Sequence, residues 1–507
     1  MKEFASQHDI KIIIVVTAAI SLILSLSQVL TDDVINSDGI LYLQIAEHIQ
    51  KNEWSSATKL YNWLFYPFLI AQLSNLTSLS LEQAAHLLNS LCTAIICTTF
   101  ILIIKEFGGK EKATLWFASL IILCYPNMNE YRDMIIRDHG YWAFYLLSCL
   151  YFLKAYQQIK VKTLIALITF LVIATLFRVE GLIFTLILPL FLLTWHIKIQ
   201  KNRIRALFQI VLITSVTLLA YHFISSNDHN IGYTKTTQIY QAIESSFYKI
   251  KSSVDITENY INKLSAHRFS ENYAPTVLGF VFLLILATEI FSATSALYVF
   301  ALISSFFVKR GFLSNYLIKP WGVLIIINLI ILCGFLLSAF FLTGRYPIAL
   351  SLILLIPIPF FLNVIYQQIK VRQISPFEKK LLLASMILFA IVSVDGVVSF
   401  GTKKSYLKDT GVWISANMNP DNENFYTNNL HVNFYAGTQS GQRIKNKSLD
   451  TVLNDITTNK LSSFNIMAIQ VSRKSHQGLP RLVNALNSNP VKTFHNKAGD
   501  SVYIFKL

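Results

Sequence analysis

KIIIVVTAAISLILSLSQVL occupies residues 11–30, and its single charged residue, Lys11, stands at its first position. A transmembrane helix needs about 20 consecutive, mostly apolar residues. The stretch therefore predicts a helix that crosses a bilayer. A signal peptide is the alternative, but no small-residue cleavage site follows and many similar runs come later, which favours a retained anchor.

Further apolar runs follow along the chain, and several of them are shorter than the first. Taken together they predict about eleven transmembrane helices, because few charged residues interrupt them. The predicted spans are 11–30, 84–104, 113–127, 140–157, 163–177, 181–196, 206–224, 277–307, 321–343, 347–366 and 380–400. The run 277–307 is long for one helix, so a tilted or kinked helix is expected there.

The composition agrees with a membrane protein. Only 14% of the 507 residues are charged and 53% are hydrophobic, whereas soluble domains carry about 25% charged residues. The net charge is +15, but the basic residues stand at the ends of apolar runs rather than on a polar domain. Binding to nucleic acid is therefore excluded as a function class.

Lysine and arginine are concentrated in every second loop between the predicted spans. Positively charged loops remain in the cytoplasm, so the N-terminus is predicted to be cytoplasmic and the C-terminus periplasmic, as in a multi-pass protein of the bacterial inner membrane. The basic stretches are 105–112, 160–162, 198–205, 309–319 and 370–380.

This topology predicts an all-α polytopic membrane domain, residues 1–400, and a small extracytoplasmic α/β domain, residues 401–507. In the second of these, helices are expected near 406–417, 448–457 and 479–488, and strands near 425–426, 466–471 and 501–505. The predicted outer loops are 31–83, 128–139 and 225–276, and the last of them carries five basic residues that could make it a lid over the site.

The first outer loop contains a short amphipathic segment with an acid at its start. Asp38, Tyr42 and Ala46 are four residues apart, so they share one face of a helix. Either Ser37 or Asp38 could serve only as the N-cap of that helix. Asp32 and Asp33 are further acids at the same membrane edge.

Charged residues recur at the other outer turns. Arg137 and Asp138 precede the span 140–157, where the helix dipole favours a carboxylate. Arg178 and Glu180 stand in a tight turn between two spans, and an ion pair holding a hairpin would also explain them. Arg345 and Tyr346 follow the span 321–343, where an arginine could simply extend to the lipid headgroups.

An acid followed by tyrosine four residues on, in a helix directly after the first span, resembles the start of GT-C fold glycosyltransferases. These include protein O-mannosyltransferases, aminoarabinose transferases and the RgtA/B/C/D-like group. The acid after the third span, the Arg-x-Glu-Gly turn, the late Arg-Tyr step and the C-terminal tail are similar to the same superfamily. Gly39 is a departure, because many relatives carry a second acid there.

The resemblance implies a glycosyltransferase that moves a sugar from a polyprenyl-phosphate donor to a cell-envelope acceptor, such as lipid A, polysaccharide or protein. By resemblance, Asp38 is the general base, Asp138 is a second catalytic acid, and Tyr42 and Glu180 support them. The donor phosphate would be bound by four residues, which are Arg137, Arg178, Arg345 and Tyr346. A divalent metal, if one is used, would be held by Asp38 and Asp138.

Alternative functions remain open at this point. A lipid-linked oligosaccharide polymerase or ligase would use a related substrate, and a transporter or flippase would also be polytopic. A transporter is expected to show repeats and broken helices near the bilayer centre, and the sequence shows no repeat. It also has no P-loop, no glycine-rich dinucleotide turn and no HExxH motif, so chemistry with a soluble nucleotide is not expected.

Overall fold

The structure is a computed structural model of the 507-residue chain. It describes residues 4–31, 33–199, 248–260, 273–307, 315–371, 403–418, 424–437 and 446–507, together with single positions between 376 and 391. The predicted span 206–224, nearly all of 380–400, and most of the loop 225–276 lie outside these residues.

The chain divides into two compact units. The first unit comprises Met1–Leu24, Ser90–Arg132 and Arg137–Val397. The second unit comprises Ser25–Asn89, Asp133–Ile136 and Val398–Leu507. The first outer loop therefore belongs to the same unit as the C-terminal tail. The predicted division near residue 400 stays a prediction.

Long helices account for most of the chain up to residue 371. Their bounds follow the apolar runs closely, because each run satisfies its backbone hydrogen bonds internally when it is helical. The helices are α1 (Gln7–Thr31), α2 (Ser37–Gln50), α3 (Trp54–Leu60), α4 (Phe65–Thr77), α5 (Leu81–Glu106), α6 (Lys112–Leu123), α7 (Pro126–Asn129), α8 (Asp138–Gln157), α9 (Val161–Phe177), α10 (Gly181–Ile199), α11 (Ala274–Thr294), α12 (Ala296–Phe307), α13 (Asn315–Ala339), α14 (Ile348–Leu354) and α15 (Pro357–Val371).

The described residues include five helical segments that are long and apolar enough to cross a membrane. Four shorter apolar helices accompany them, so the chain is a membrane protein of many apolar helices, as its composition predicts. The five long segments are Gln7–Thr31, Leu81–Glu106, Ala274–Thr294, Tyr316–Ala339 and Ile348–Val371.

The long run at 277–307 is divided in the structure. Ser295 has a φ of 70° and separates α11 from α12, so the run forms two helices rather than the one tilted or kinked helix that the sequence predicts. The hydroxyl of Tyr125 donates to the carbonyl of Ala293, and that of Tyr298 donates to the carbonyl of Ile121. These bonds attach both sides of the break to the C-terminal end of α6, which stabilises it.

Helices α8 and α9 approach closely at Gly140. A Cβ atom at this position would overlap the ring of Phe177, which is itself stacked on Phe144 with ring centroids 5.9 Å apart. The missing side chain at Gly140 thus brings the start of α8 against the end of α9. This contact sets the position of Asp138, two residues earlier.

We expect Gly140→Ala to lower the free energy of unfolding by about 1–3 kcal/mol, because a methyl group would overpack this contact. Denaturant or thermal unfolding of the detergent-purified chain measures the change. Gly334→Ala in α13 is the matched control, since a Cβ there meets nothing within 4 Å. Equal behaviour of the two variants would contradict the packing argument.

In the second unit, α2 is the short helix that the first outer loop predicts, and α4 is a second helix of the same loop. Helix α4 begins at Phe65 and continues to Thr77. Pro67 stands in its first turn, where no intrahelical N–H bond is lost. Tyr42 of α2 contacts Tyr66 of α4 edge to face, with ring centroids 5.1 Å apart.

The tail forms a small α/β layer, as its sequence predicts. Its four strands have the order β1-β2-β4-β3, with β1 parallel to β2 and the other pairs antiparallel. Strand β3 and helix α17 are additions to the predicted elements. The elements are α16 (Ser405–Asn417), β1 (Phe425–Thr427), α17 (Leu430–Tyr435), α18 (Leu449–Thr457), β2 (Ile466–Val471), α19 (Leu479–Leu486), β3 (Lys492–His495) and β4 (Ser501–Lys506).

Candidate functional site

A buried ion cluster joins the start of α8 to the turn between α9 and α10. The Nη1 atom of Arg178 donates to Oδ1 of Asp138, and Nη2 donates to Oε1 of Glu180. Nε of Arg178 also donates to Oε1 of Glu180 over 3.2 Å. The ion pair that the Arg-x-Glu-Gly turn predicts is therefore present, and Asp138 is a further partner of the same guanidinium.

The cluster keeps its charges although it is removed from water. The side chains of Arg178, Asp138 and Glu180 are 7%, 3% and 16% exposed. Burial alone would raise the pKa of Glu180, but the guanidinium of Arg178 opposes this and holds the pKa below its ordinary value. Arg137 acts on Glu180 in the same direction. Glu180 is therefore a carboxylate at neutral pH.

This lowered pKa makes the stability depend on pH. A carboxylate with a depressed folded-state pKa stabilises the fold above its unfolded pKa, about 4.3 for glutamate, and the contribution is lost as the pH falls through the folded-state value. We expect Glu180→Gln to be less stable than the wild type at pH 7 and to approach it in acid.

Thermal unfolding between pH 7 and pH 3 tests this expectation. Glu47→Gln is the control, because Glu47 forms an exposed i,i+4 pair with Lys51 and should show little pH-dependent difference. A constant gap between Glu180→Gln and the wild type across that range would show that the Glu180 carboxylate does not contribute through its charge.

The cluster lines a narrow cavity of about 20 Å³ inside the first unit. Arg345 and Tyr346, from the segment after α13, also line it. The Tyr346 ring lies 4.7 Å from the Arg178 guanidinium carbon and 5.6 Å from that of Arg345, measured to the ring centroid. The structure therefore brings Arg178, Arg345, Tyr346 and Glu180 together.

Arg137 and Arg345 also act electrostatically on Asp138. Three guanidiniums thus outnumber two carboxylates in this part of the unit. Arginine presents a planar fork of donors that matches a phosphate group. The arrangement can neutralise Asp138 and Glu180 and still attract an anion to the cavity.

Asp38 lies in the second unit, in the first turn of α2. The predicted cap at Ser37 or Asp38 is wrong, because the N-cap is Asn36. The Asn36 side chain exchanges hydrogen bonds with the backbone of Ile135, accepting over 2.8 Å and donating over 3.3 Å. Asp38 is therefore the acid of the first turn of α2 and not its N-cap.

The structure shows the contacts of Asp33 and Gly39, which are close to Asp38 in the sequence. Asp33 forms an ion pair with Lys403 over 3.6 Å and accepts from the backbone N–H of Lys404, while Asp32 lies outside the described residues. Gly39 is buried, and a Cβ there would stand 2.8 Å from Asn36 Oδ1 and 2.9 Å from Ile135 Cβ. A second acid at position 39 would not fit this packing.

A metal site remains a prediction. Within the described ranges, no group of three or more His, Cys, Asp or Glu residues could hold an ion. Asp38 and Asp138 belong to different units, so the predicted meeting of these two acids also stays a prediction.

Several residues of the cavity were missed by the sequence analysis. They include Tyr141, Trp142, Asn328 and Phe335, all of which line the cavity. Aromatic residues are too frequent in this chain to stand out. Asn328 carried a usable signal, because it is a polar residue in the middle of the apolar run 321–343.

No family model matches the chain, and no curated protein matches it. Two crystal structures are similar, with 12% identity and 97% of each chain covered. They are ArnT from Cupriavidus metallidurans in the apo state, with a TM-score of 0.44, and the same protein bound to undecaprenyl phosphate, with a TM-score of 0.43.

The similar structures are of a GT-C aminoarabinose transferase. This is one of the groups that the outer loops of the sequence resemble.

Proposed function

We propose that this chain is an integral membrane glycosyltransferase of the GT-C type. It transfers a sugar from a polyprenyl-phosphate donor to a cell-envelope acceptor on the outer face of the bacterial inner membrane. The observation that carries the proposal is the group of arginines near the ends of apolar helices, of which Arg178 and Arg345 line the cavity. A lipid-linked sugar places its phosphate at such a level, because the isoprenoid stays in the bilayer and the sugar stays in water.

The positively charged arginines can stabilise the negative charge that develops on the leaving phosphate during transfer. As the bond between the anomeric carbon and the phosphate oxygen breaks, the electron pair leaves with the polyprenyl phosphate. Donors that are already in place stabilise such a charge best in a site shielded from water. Arg178 is held by Asp138 and Glu180, so its guanidinium is positioned before the donor binds. Arg345, Arg137 and Tyr346 complete the phosphate site.

Asp38 acts as the general base in this proposal. It takes the proton of the acceptor hydroxyl while the hydroxyl oxygen attacks the anomeric carbon from the face opposite the leaving phosphate, which inverts that centre. A positioned carboxylate at an outer loop can perform this step. Tyr42, one turn after Asp38, helps to place α2 through its contact with Tyr66.

Transfer by the purified protein in liposomes tests the function. Polyprenyl-phosphate sugars with a labelled sugar are supplied together with envelope acceptors, and both labelled product and released polyprenyl phosphate are measured. We expect equal amounts of the two. Use of nucleotide sugars instead, or movement of the lipid-linked sugar across the bilayer without product, would overturn the proposal.

The proposed sidedness has a separate test. A cysteine placed in the tail should react with an impermeant maleimide added to spheroplasts, because the tail is on the outer side. Reaction only after the membrane is opened would reverse the orientation.

A further inference from the structure

One stripe of α13 forms a wall of the cavity. Asn328, Ile331, Leu332 and Phe335 line it, and their spacing of three, four and seven residues puts them on the same helix face. Phe335 contacts the ring of Tyr346, with centroids 4.1 Å apart. Asn328 lies seven residues before Phe335, which is about 10 Å further along the helix. Asn328 is therefore the polar group at the end of the wall away from Tyr346.

The hydrogen bonds of Asn328 fix the orientation of its amide. Nδ2 donates to the hydroxyl oxygen of Tyr145 and to the carbonyl of Leu324, both over 2.7 Å. A backbone carbonyl can only accept, so the nitrogen of the amide must face Leu324. Among the residues that the structure describes, none donates a hydrogen bond to Oδ1 of Asn328, although the residue is only 4% exposed.

A structural role explains the hydrogen bonds of the Asn328 amide nitrogen but gives no role to its carbonyl oxygen. Polar side chains in membrane helices often join neighbouring helices, and the Asn328–Tyr145 bond joins α13 to α8 in this way. Tyr145 is fixed in turn by Phe184 and Tyr141, with ring centroids 4.9 Å and 5.9 Å away. Helix joining uses the amide nitrogen and leaves the carbonyl oxygen unused at a cavity wall.

The size of the cavity limits what could use that oxygen. Its volume of about 20 Å³ holds one water-sized group. A sugar ring is much larger, whereas a single hydroxyl or amino substituent is of this size. The flanking Ile331 and Leu332 are apolar, so a group that entered here would find Asn328 Oδ1 as an acceptor on this wall.

We propose that Asn328 Oδ1 recognises one hydroxyl or amino group of the sugar carried by the donor. The inference rests on the proposed function and adds a specificity-determining residue to it. A neutral carbonyl oxygen selects a hydrogen-bond donor and rejects a carboxylate or a second carbonyl at that position. A donor that lacks the group leaves a buried acceptor without a partner, and sites of this kind discriminate strongly.

A cycle of enzyme variants and substrate variants tests the proposal. Wild type and Asn328→Leu are assayed with a polyprenyl-phosphate sugar and with its series of monodeoxy analogues. For the wild type, removal of one particular hydroxyl or amino group should lower kcat/KM by a factor between about 10² and 10⁴. Asn328→Leu should have a lower kcat/KM than the wild type with the parent donor. Its kcat/KM values for the parent donor and for that analogue should differ by less than about threefold.

Tyr145→Phe is the matched control. It removes the hydroxyl that accepts from Nδ2 but leaves Asn328 Oδ1 in place, so it should retain the discrimination. If Asn328→Leu does not accumulate, Asn328→Ser replaces it, because serine also lacks the carbonyl and can still donate to Leu324.

The outcomes separate this inference from the proposed function. Equal activity of the wild type with every monodeoxy donor would overturn the role of Asn328, and so would a loss in Asn328→Leu that is the same for all donors. Failure of the wild type to use any polyprenyl-phosphate sugar would instead overturn the proposed function and this inference with it.

Discussion

Asp38→Asn is expected to lower kcat by about 10²–10⁴-fold while KM for the donor changes little. Asparagine keeps the shape of the side chain but cannot take a proton from the acceptor. The fold should tolerate the change, because the two side chains have the same shape and Asp38 is not the N-cap of α2. Steady-state transfer rates and the thermal midpoint of the purified protein, measured together, separate lost chemistry from lost structure.

Asp33→Asn is the matched control for this experiment. Asp33 is an acid of the same outer loop, but it is paired with Lys403 and with the backbone of Lys404. Its substitution should affect stability more than kcat. If Asp33→Asn removes the activity while Asp38→Asn keeps more than about half of it, the base has been assigned to the wrong acid.

Much of the fold follows from local rules. Apolar length alone predicts helices such as α1, α5 and α13, because a backbone in lipid must satisfy its hydrogen bonds within one segment. The break at Ser295 depends instead on hydrogen bonds with Tyr125 and Ile121, which lie far away in the sequence. Strand β3 was missed because Lys492–His495 is an exposed edge strand with one partner and no apolar alternation.

The candidate site was predictable where its residues are close in sequence. Arg178 and Glu180 are two residues apart in one turn, and Arg345 and Tyr346 are adjacent. Arg132 and Arg137 both lie in the loop 128–139, so their positions in the sequence do not show which of them is near the ion cluster. Arg132 is buried and donates to Asn129 Oδ1 and to Ser21, so it connects helices, whereas Arg137 acts on Asp138 and Glu180.

Arg178→Leu has the largest expected effect on stability, a loss of about 3–5 kcal/mol in the free energy of unfolding. The substitution would leave the buried carboxylates of Asp138 and Glu180 without their common partner. Arg137 and Arg345 also act on Asp138, so the loss should fall toward the lower end of that range. Denaturant unfolding in detergent, or the amount of folded protein in the membrane, measures it.

A triple variant separates this structural role from the proposed role in transfer. Arg178→Leu combined with Asp138→Val and Glu180→Met removes the whole ion cluster, and replacing all partners of a buried ion pair by apolar residues of similar volume is often neutral for stability. We expect this variant to fold again but to remain at least about 10²-fold slower in transfer, because the donor phosphate has lost a positioned guanidinium. Recovery of both stability and activity would show that Arg178 serves only to balance the two carboxylates. A single variant as stable as the wild type would mean that the cluster is not needed for folding.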